Sequence, residues 1–405
     1  MSLSTQLLRI LFPLLLVSII TACTNTSQLT TASSHRKLVI SPTSFGSHPI
    51  ASSNLSLTQE AKNSSKQFFE NSATGSNSYI NKILARPDQS FTFSLQVPNQ
   101  PGLYGNTANR TLPFAGLIIY PTTKANKNRA YSLPNKLKLP HMDLPGETPQ
   151  FATNHTYPLL VLSHGLASHP GDYFELESAK FFASHGFIVL SLFHGDNRFP
   201  QLLDHPENKL EQFALRPLAI KKALDKLILD SKFSKHINAE QIGGIGVSFG
   251  GATLFAIMGG KISGWENEPF INTEQDSRIK SAVGISPFFG NRYIPMFGAK
   301  GQGGSSLKQP YMAISGTKDS IAKWNKSVNA ISQAVKQQDA YLIGLEKAKH
   351  SLNESEANDA QTWALLFLKS YLLSSTEDQQ TLSRLRYVSD SGKDFLAIEP
   401  QPVND

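Results

Sequence analysis
Apolar residues along this chain fall into short unbroken runs separated by stretches of helical period. The runs are Leu159–Leu162, Phe187–Phe193, Ile242–Val247, Ile279–Ile285, Tyr311–Ser315 and Ala340–Leu345. Their length and turn-rich flanks suit buried strands. Tyr173–Ser184 and Arg216–Leu229 read as helices, the second with Leu218, Ala219, Ala223 and Leu227 at helical spacing, as do Ala252–Met258 and Asn358–Leu373. Phe91–Val97 alternates apolar with polar residues and Leu112–Tyr120 is nearly all apolar, so both predict earlier strands. Apolar strands alternating with helices predict right-handed βαβ units. The fold class is therefore α/β, with a mostly parallel central sheet and helices on both faces.

The ends have a different texture. Met1–Arg9 carries one charge and is followed by the apolar run Ile10–Ile20, too short to span a bilayer as a helix. This is the pattern of a secretory signal peptide, covering residues 1–22. It runs into Ile20-Thr-Ala-Cys23, with Cys23 the only cysteine of the 405 residues. That segment resembles the bacterial lipobox, whose cysteine is lipidated. The resemblance implies a lipid-anchored protein of the cell envelope, and Thr24-Asn25 favours the outer membrane. Residues 23–65, rich in Ser, Thr and Asn, read as a flexible tether, because they hold too little apolar surface to offset ordering. A single folded α/β domain is expected over 66–376 and a C-terminal extension over 377–405.

Charge changes the picture little. Lys and Arg number 38 against 31 Asp and Glu, a net charge of +7, and the excess is scattered. The stretch Pro121–Thr156 reads as a long loop; its Lys124, Lys127, Arg129, Lys136 and Lys138 predict a solvated surface. No aromatic-plus-basic module points to nucleic acid. With Cys23 as anchor, disulfides and thiolate chemistry are excluded elsewhere.

The candidate chemistry sits just after predicted strands, where open α/β sheets bind ligands. Gly246-Val-Ser248-Phe-Gly250 follows the strand Ile242–Val247 and precedes a small-residue helix. A serine in such a tight strand-to-helix turn exposes its hydroxyl above the sheet, and flanking glycines avoid collisions within the turn. The hydroxyl needs a base, and in this architecture the order is serine, acid, histidine. Of eleven histidines only His350 follows Ser248. Among the later acids Asp319 is best placed, in the turn leaving Tyr311–Ser315, where a carboxylate can orient an imidazole. Glu266, Glu268, Glu274 and Asp276 read as solvated loop charges. Two N–H groups would hold the oxyanion, one from Phe249 and one from Leu166 in the turn after Leu162. His164 is expected to be structural, since no spaced His/Asp cluster accompanies it. Phe193, Phe249, Phe288, Phe289 and Tyr293 are candidates for an acyl pocket and equally for core.

The blocks Leu162-Ser-His-Gly-Leu166, Ala183-Ser-His-Gly-Phe187, Arg216-Pro-Leu218 and Gly246-Val-Ser-Phe-Gly-Gly251 resemble the platelet-activating factor acetylhydrolase and predicted dienelactone hydrolase-like branch of the α/β-hydrolases. The likeness spans Phe91 to Leu373 and extends more distantly to cutinase-like polyesterases. It implies an α/β-hydrolase fold and a Ser–Asp–His esterase without cofactor or metal, acting on a lipid or small ester. Plasma-type acetylhydrolases place their acid where this chain has Ser286, so Asp319 takes that role here. True dienelactone hydrolases use a cysteine nucleophile, where this chain has serine. Two other readings use the same residues differently: a non-catalytic binding protein on a hydrolase scaffold, and a peptidase of the same fold. The complete triad in order argues against the first, and the lack of a peptide-end recognition feature against the second.

Overall fold
The computed structural model describes residues 36–53, 83–85, 87, 91–128, 130–132, 137–143, 147–152, 154–196, 208–263, 269–291, 294, 296–388 and 393–400. Residues 1–22, expected to be a signal peptide, and Cys23 lie outside them. The described residues begin with strands β1 (Leu38–Val39), β2 (Ile50–Ser53), β3 (Thr92–Gln96), β4 (Thr111–Pro121) and the small pair β5 (Tyr131–Ser132) and β6 (Lys138–Leu139). Alternation follows: β7 (Tyr157–Ser163), α1 (Tyr173–Ser184), β8 (Ile188–Phe193), α2 (Asn208–Leu227), β9 (Ile237–Val247), α3 (Phe249–Ile257) and β10 (Ile279–Ile285). The chain continues through β11 (Tyr311–Gly316), α4 (Trp324–Ala334), β12 (Ala340–Leu345) and α5 (Glu354–Leu372). It then adds α6 (Thr376–Arg384), β13 (Leu385–Tyr387) and β14 (Asp394–Ile398).

Among the described residues ten strands make one sheet, ordered β14-β12-β11-β10-β9-β7-β8-β4-β2, with β3 also on β4. From β12 to β8 all neighbours pair in parallel. The outer strands β14, β4, β3 and β2 pair antiparallel. Successive strand residues face opposite ways, so Ala340 and Leu342 of β12 enter one apolar cluster, and Tyr341, Ile343 and Leu345 the other. Helices α2, α3 and α4 supply side chains to the first cluster, α1 and α5 to the second. The expected α/β class, with helices on both faces, is what the chain forms.

Boundaries depart from expectation in four places. Helix α2 starts at Asn208, eight residues before the expected Arg216, and runs through Pro217 to Leu227. Helix α4 was not anticipated, because its buried face is Ser327, Ala330, Ile331 and Ala334, mostly small residues. Residues 36–53, expected within the tether, include β2 in the main sheet and β1 paired with β13. An edge strand with one partner needs few apolar residues to hold its place. The expected extension likewise joins the fold: β14 adds to β12, and Trp363 Nε1–H donates to Asp394 Oδ2 at 2.6 Å beneath it. Among the described residues no helix is long and apolar enough to cross a membrane.

Candidate active site
Ser248 stands between β9 and α3 with φ 50° and ψ −114°, a backbone conformation that side-chain-bearing residues rarely adopt. The glycines beside it are required sterically. A Cβ on Gly246 would lie 2.4 Å from the Gly250 carbonyl carbon, and one on Gly250 would lie 1.8 Å from the Ser163 oxygen. The turn thus packs directly against the end of β7. The Ser248 N–H donates to the Ile285 oxygen at 2.9 Å, which ties the turn to β10.

His350 follows β12 and Asp319 follows β11. The two loops are stitched together: Lys318 N–H donates to the Ala348 oxygen at 3.0 Å and Lys347 N–H to Thr317 Oγ1 at 2.8 Å. His350 Nδ1 lies 2.7 Å from Asp319 Oδ2, and His350 Nε2 lies 3.0 Å from Ser248 Oγ. Asp319 Oδ1 accepts the N–H groups of Ile321 and Ala322, each at 2.8 Å. That network assigns the proton on Nδ1 to Asp319 and leaves Nε2 free to accept from the serine hydroxyl. The Asp319 side chain is fully covered, while that of His350 is 21% exposed. Chemically, this arrangement can move a proton from Ser248 to the imidazole while the carboxylate balances the charge.

Ser286 occupies the alternative acid position. Its Oγ donates to the His350 backbone oxygen at 3.3 Å, so it supports the loop and does not meet the ring.

The Leu166 and Phe249 N–H groups have no hydrogen-bond partner among the described residues. Phe249 is the first residue of α3, whose N-terminal end favours negative charge. Gly165 brings the β7–α1 loop close, with its Cβ position 3.7 Å from Ser248 Cβ. A cavity of about 490 Å³ opens at Ser248 and His350, with Leu166, Phe174, Val247, Ile285, Ile321 and Leu352 among its lining residues. Ligand pockets commonly fall in this size range. A larger polar depression of about 660 Å³, lined by Lys261, Glu274 and Lys308 among others, holds no serine–histidine pair. Of the aromatics proposed for an acyl pocket, Phe193, Phe249 and Phe289 are buried in the core clusters instead, Phe288 packs against one, and Tyr293 lies outside the described residues. Phe174, not anticipated, lines the cavity.

His164 is buried under this loop as a neutral imidazole. Its Nδ1–H donates to the Gly165 oxygen at 2.7 Å and its Nε2 accepts the His194 N–H at 3.2 Å. Burial first, then the Arg216 charge, lowers its pKa to about 4. An unfolded chain protonates this histidine near 6.5, so the stability it contributes is complete above that pH and lost as pH falls toward 4. The stability advantage of wild type over His164→Asn is therefore expected to shrink by about 3 kcal/mol between about pH 7 and pH 4. Urea unfolding at both pH values checks this, and parallel profiles would refute it. Among the described residues no group of three or more His, Cys, Asp or Glu side chains is arranged to hold a metal.

Sequence reasoning also missed a buried ion pair, Arg216 with Asp196, below the same loop. Arg216 stood out only as part of a resemblance block, and Asp196 carried no signal beyond lying after a strand.

The mostly parallel sheet with helices on both faces and the strand-to-helix turn at Ser248 are those of an α/β-hydrolase fold. A family model described as platelet-activating factor acetylhydrolase, isoform II, matches residues 122–202, which supports the acetylhydrolase-like branch of that fold. The matched segment contains β7, the Leu166 loop, α1, β8 and Asp196. The family indicates a hydrolase, and suggests a serine hydrolase of the lipase and esterase kind. No curated protein matches the chain.

Proposed function
We propose that the protein is a serine-dependent carboxylic ester hydrolase working through an acyl-enzyme. The observation that carries this reading is the unbroken series Ser248 Oγ, His350 and Asp319, at 3.0 and 2.7 Å, opening on the apolar cavity. Ser248 attacks the ester carbonyl while His350 takes its proton. The Leu166 and Phe249 amides stabilise the oxyanion, at about 2.7–4 kcal/mol for such a donor. His350 then protonates the leaving alcohol, and a water molecule repeats the cycle on the acyl-enzyme. The mainly apolar lining suits the acyl part of a lipid or small ester. A fluorophosphonate that labels Ser248 in the folded protein, with turnover of p-nitrophenyl esters, is the expected result; a folded protein that takes no label would end the reading.

The same reading puts the enzyme at a bacterial cell envelope, lipid-anchored through Cys23 and facing an ester substrate there, with the outer membrane as destination. Its support is the lipobox-like Ile20–Cys23. Metabolic labelling with palmitate should mark wild type and not Cys23→Ser, and the variant should leave the membrane fraction. Unlabelled wild type would refute the anchor.

A further inference from the structure
The loop that carries the Leu166 amide is held from beneath by a buried ion pair. We propose that Arg216, together with Asp196, is a positioning residue that aims this amide at the oxyanion. The inference rests on the esterase reading above, in which Leu166 is a donor.

Arg216 on α2 and Asp196 after β8 are each 1% exposed and paired. Arg216 Nη1 donates to the His164 oxygen at 2.8 Å, and Nη2 to the Gly165 oxygen at 3.1 Å. The Asp196 Oδ2 that accepts from Nη2 also accepts the Ala167 N–H at 2.9 Å. From the other side, Glu175 Oε1 accepts the Gly165 N–H at 3.4 Å.

A peptide unit is planar, and its C=O and N–H point to opposite sides. The Gly165 carbonyl and the Leu166 N–H share one such unit. Gripping the oxygen from below therefore turns the N–H upward, toward the cavity that Gly165, Leu166 and Ser248 line together. The unit before it is tied through Arg216 and Glu175, and the unit after it through Asp196. Leu166 is thus fixed on both sides of its Cα. Ala167 is held at φ 59°, a conformation an alanine does not favour alone.

The same guanidinium lies 4.5 Å from the ring centroid of Phe249, whose own amide is the second donor. One buried cation touches both halves of the oxyanion site. Reaching two successive carbonyls and a carboxylate at once needs the planar fork of arginine; a lysine ammonium cannot reproduce it.

The test is Arg216→Lys, which keeps a charge opposite Asp196 and loses the fork. Active sites are counted by fluorophosphonate titration to saturation, so molecules that fail to fold drop out of the count. Turnover per titrated site is expected to fall about 10²-fold with KM within about threefold, the scale of a small misplacement at the reacting centre. Affinity for a boronic acid transition-state analogue should fall by the same factor, since the lost contact belongs to the transition state. Asp196→Asn, which keeps an acceptor for the Ala167 N–H, should give a smaller loss of the same kind. If Arg216→Lys yields no titratable sites, Asp196→Asn decides alone. Wild-type turnover per site, or a fall in turnover with unchanged analogue affinity, would overturn the proposal while leaving the esterase reading in place. A folded wild type that neither takes label nor cleaves esters would instead remove the esterase reading itself.

Discussion

Replacing Ser248 with alanine is expected to lower kcat on a p-nitrophenyl ester by about 10⁶, and His350→Ala to do nearly the same, as for a triad acting as a unit. The reason lies in the 3.0 Å contact between Ser248 Oγ and His350 Nε2. Without the base the hydroxyl keeps its proton, and without the hydroxyl the base has nothing to activate. The double variant should therefore be no slower than either single one. Fold is not at stake at Ser248, because its backbone tie to Ile285 and the glycine packing do not involve the hydroxyl. Steady-state rates on protein with an unchanged melting temperature check the prediction. A Ser248→Ala enzyme near wild-type rate would show that the chemistry lies elsewhere.

Asp319→Asn should lower kcat by about 10⁴ at neutral pH, with the fold intact. An asparagine oxygen can still accept the Ile321 and Ala322 N–H groups. Its amide would then present N–H to His350 Nδ1, which forces the ring proton onto Nε2. The ring would donate to Ser248 when it must accept. Ser286→Ala, by contrast, should cost less than about tenfold, because the Ser286 hydroxyl, although it lines the cavity, donates to the His350 backbone oxygen and not to the ring. The pair of kinetic measurements assigns the acid. Wild-type kcat in Asp319→Asn would refute the assignment.

The parts of the site that were legible in the sequence depend on local chain geometry. Gly246 and Gly250 betray the turn because neighbouring backbone leaves no room for a Cβ, and that constraint acts within a few residues and one strand. His350 followed from chain order, and Asp319 from its place at the end of a strand. Features built by distant segments were not legible. The grip of Arg216 on His164 and Gly165 joins positions 52 and 51 residues apart. Nothing in the neighbourhood of Arg216 announces that its charge is buried. Composition misled at Ser52 and Ser53, polar residues that nonetheless pair with Ile119 and Ile118 of β4. The aromatics misled in the opposite sense, since Phe249 stacks on Phe213 at 3.7 Å between ring centroids as core rather than as pocket wall. Aromatic type alone does not say which side of a loop faces a cavity.

Strand β14 closes the outer edge of β12, the strand whose following loop carries His350. Its anchor is the buried bond between Trp363 and Asp394, and the Val388 N–H shares the same carboxylate at 2.9 Å. A protease that removed this last arm would bare a row of unpaired backbone groups beside apolar side chains, a template for pairing with other chains. The damage would be selective. The Ser248 turn sits near the sheet centre between β9 and β10, whereas the histidine loop would lose its flank. A nicked molecule would keep the serine proposed as nucleophile and misplace the proposed base, so inactivation and self-association would set in together, from one cut made far from the serine in sequence.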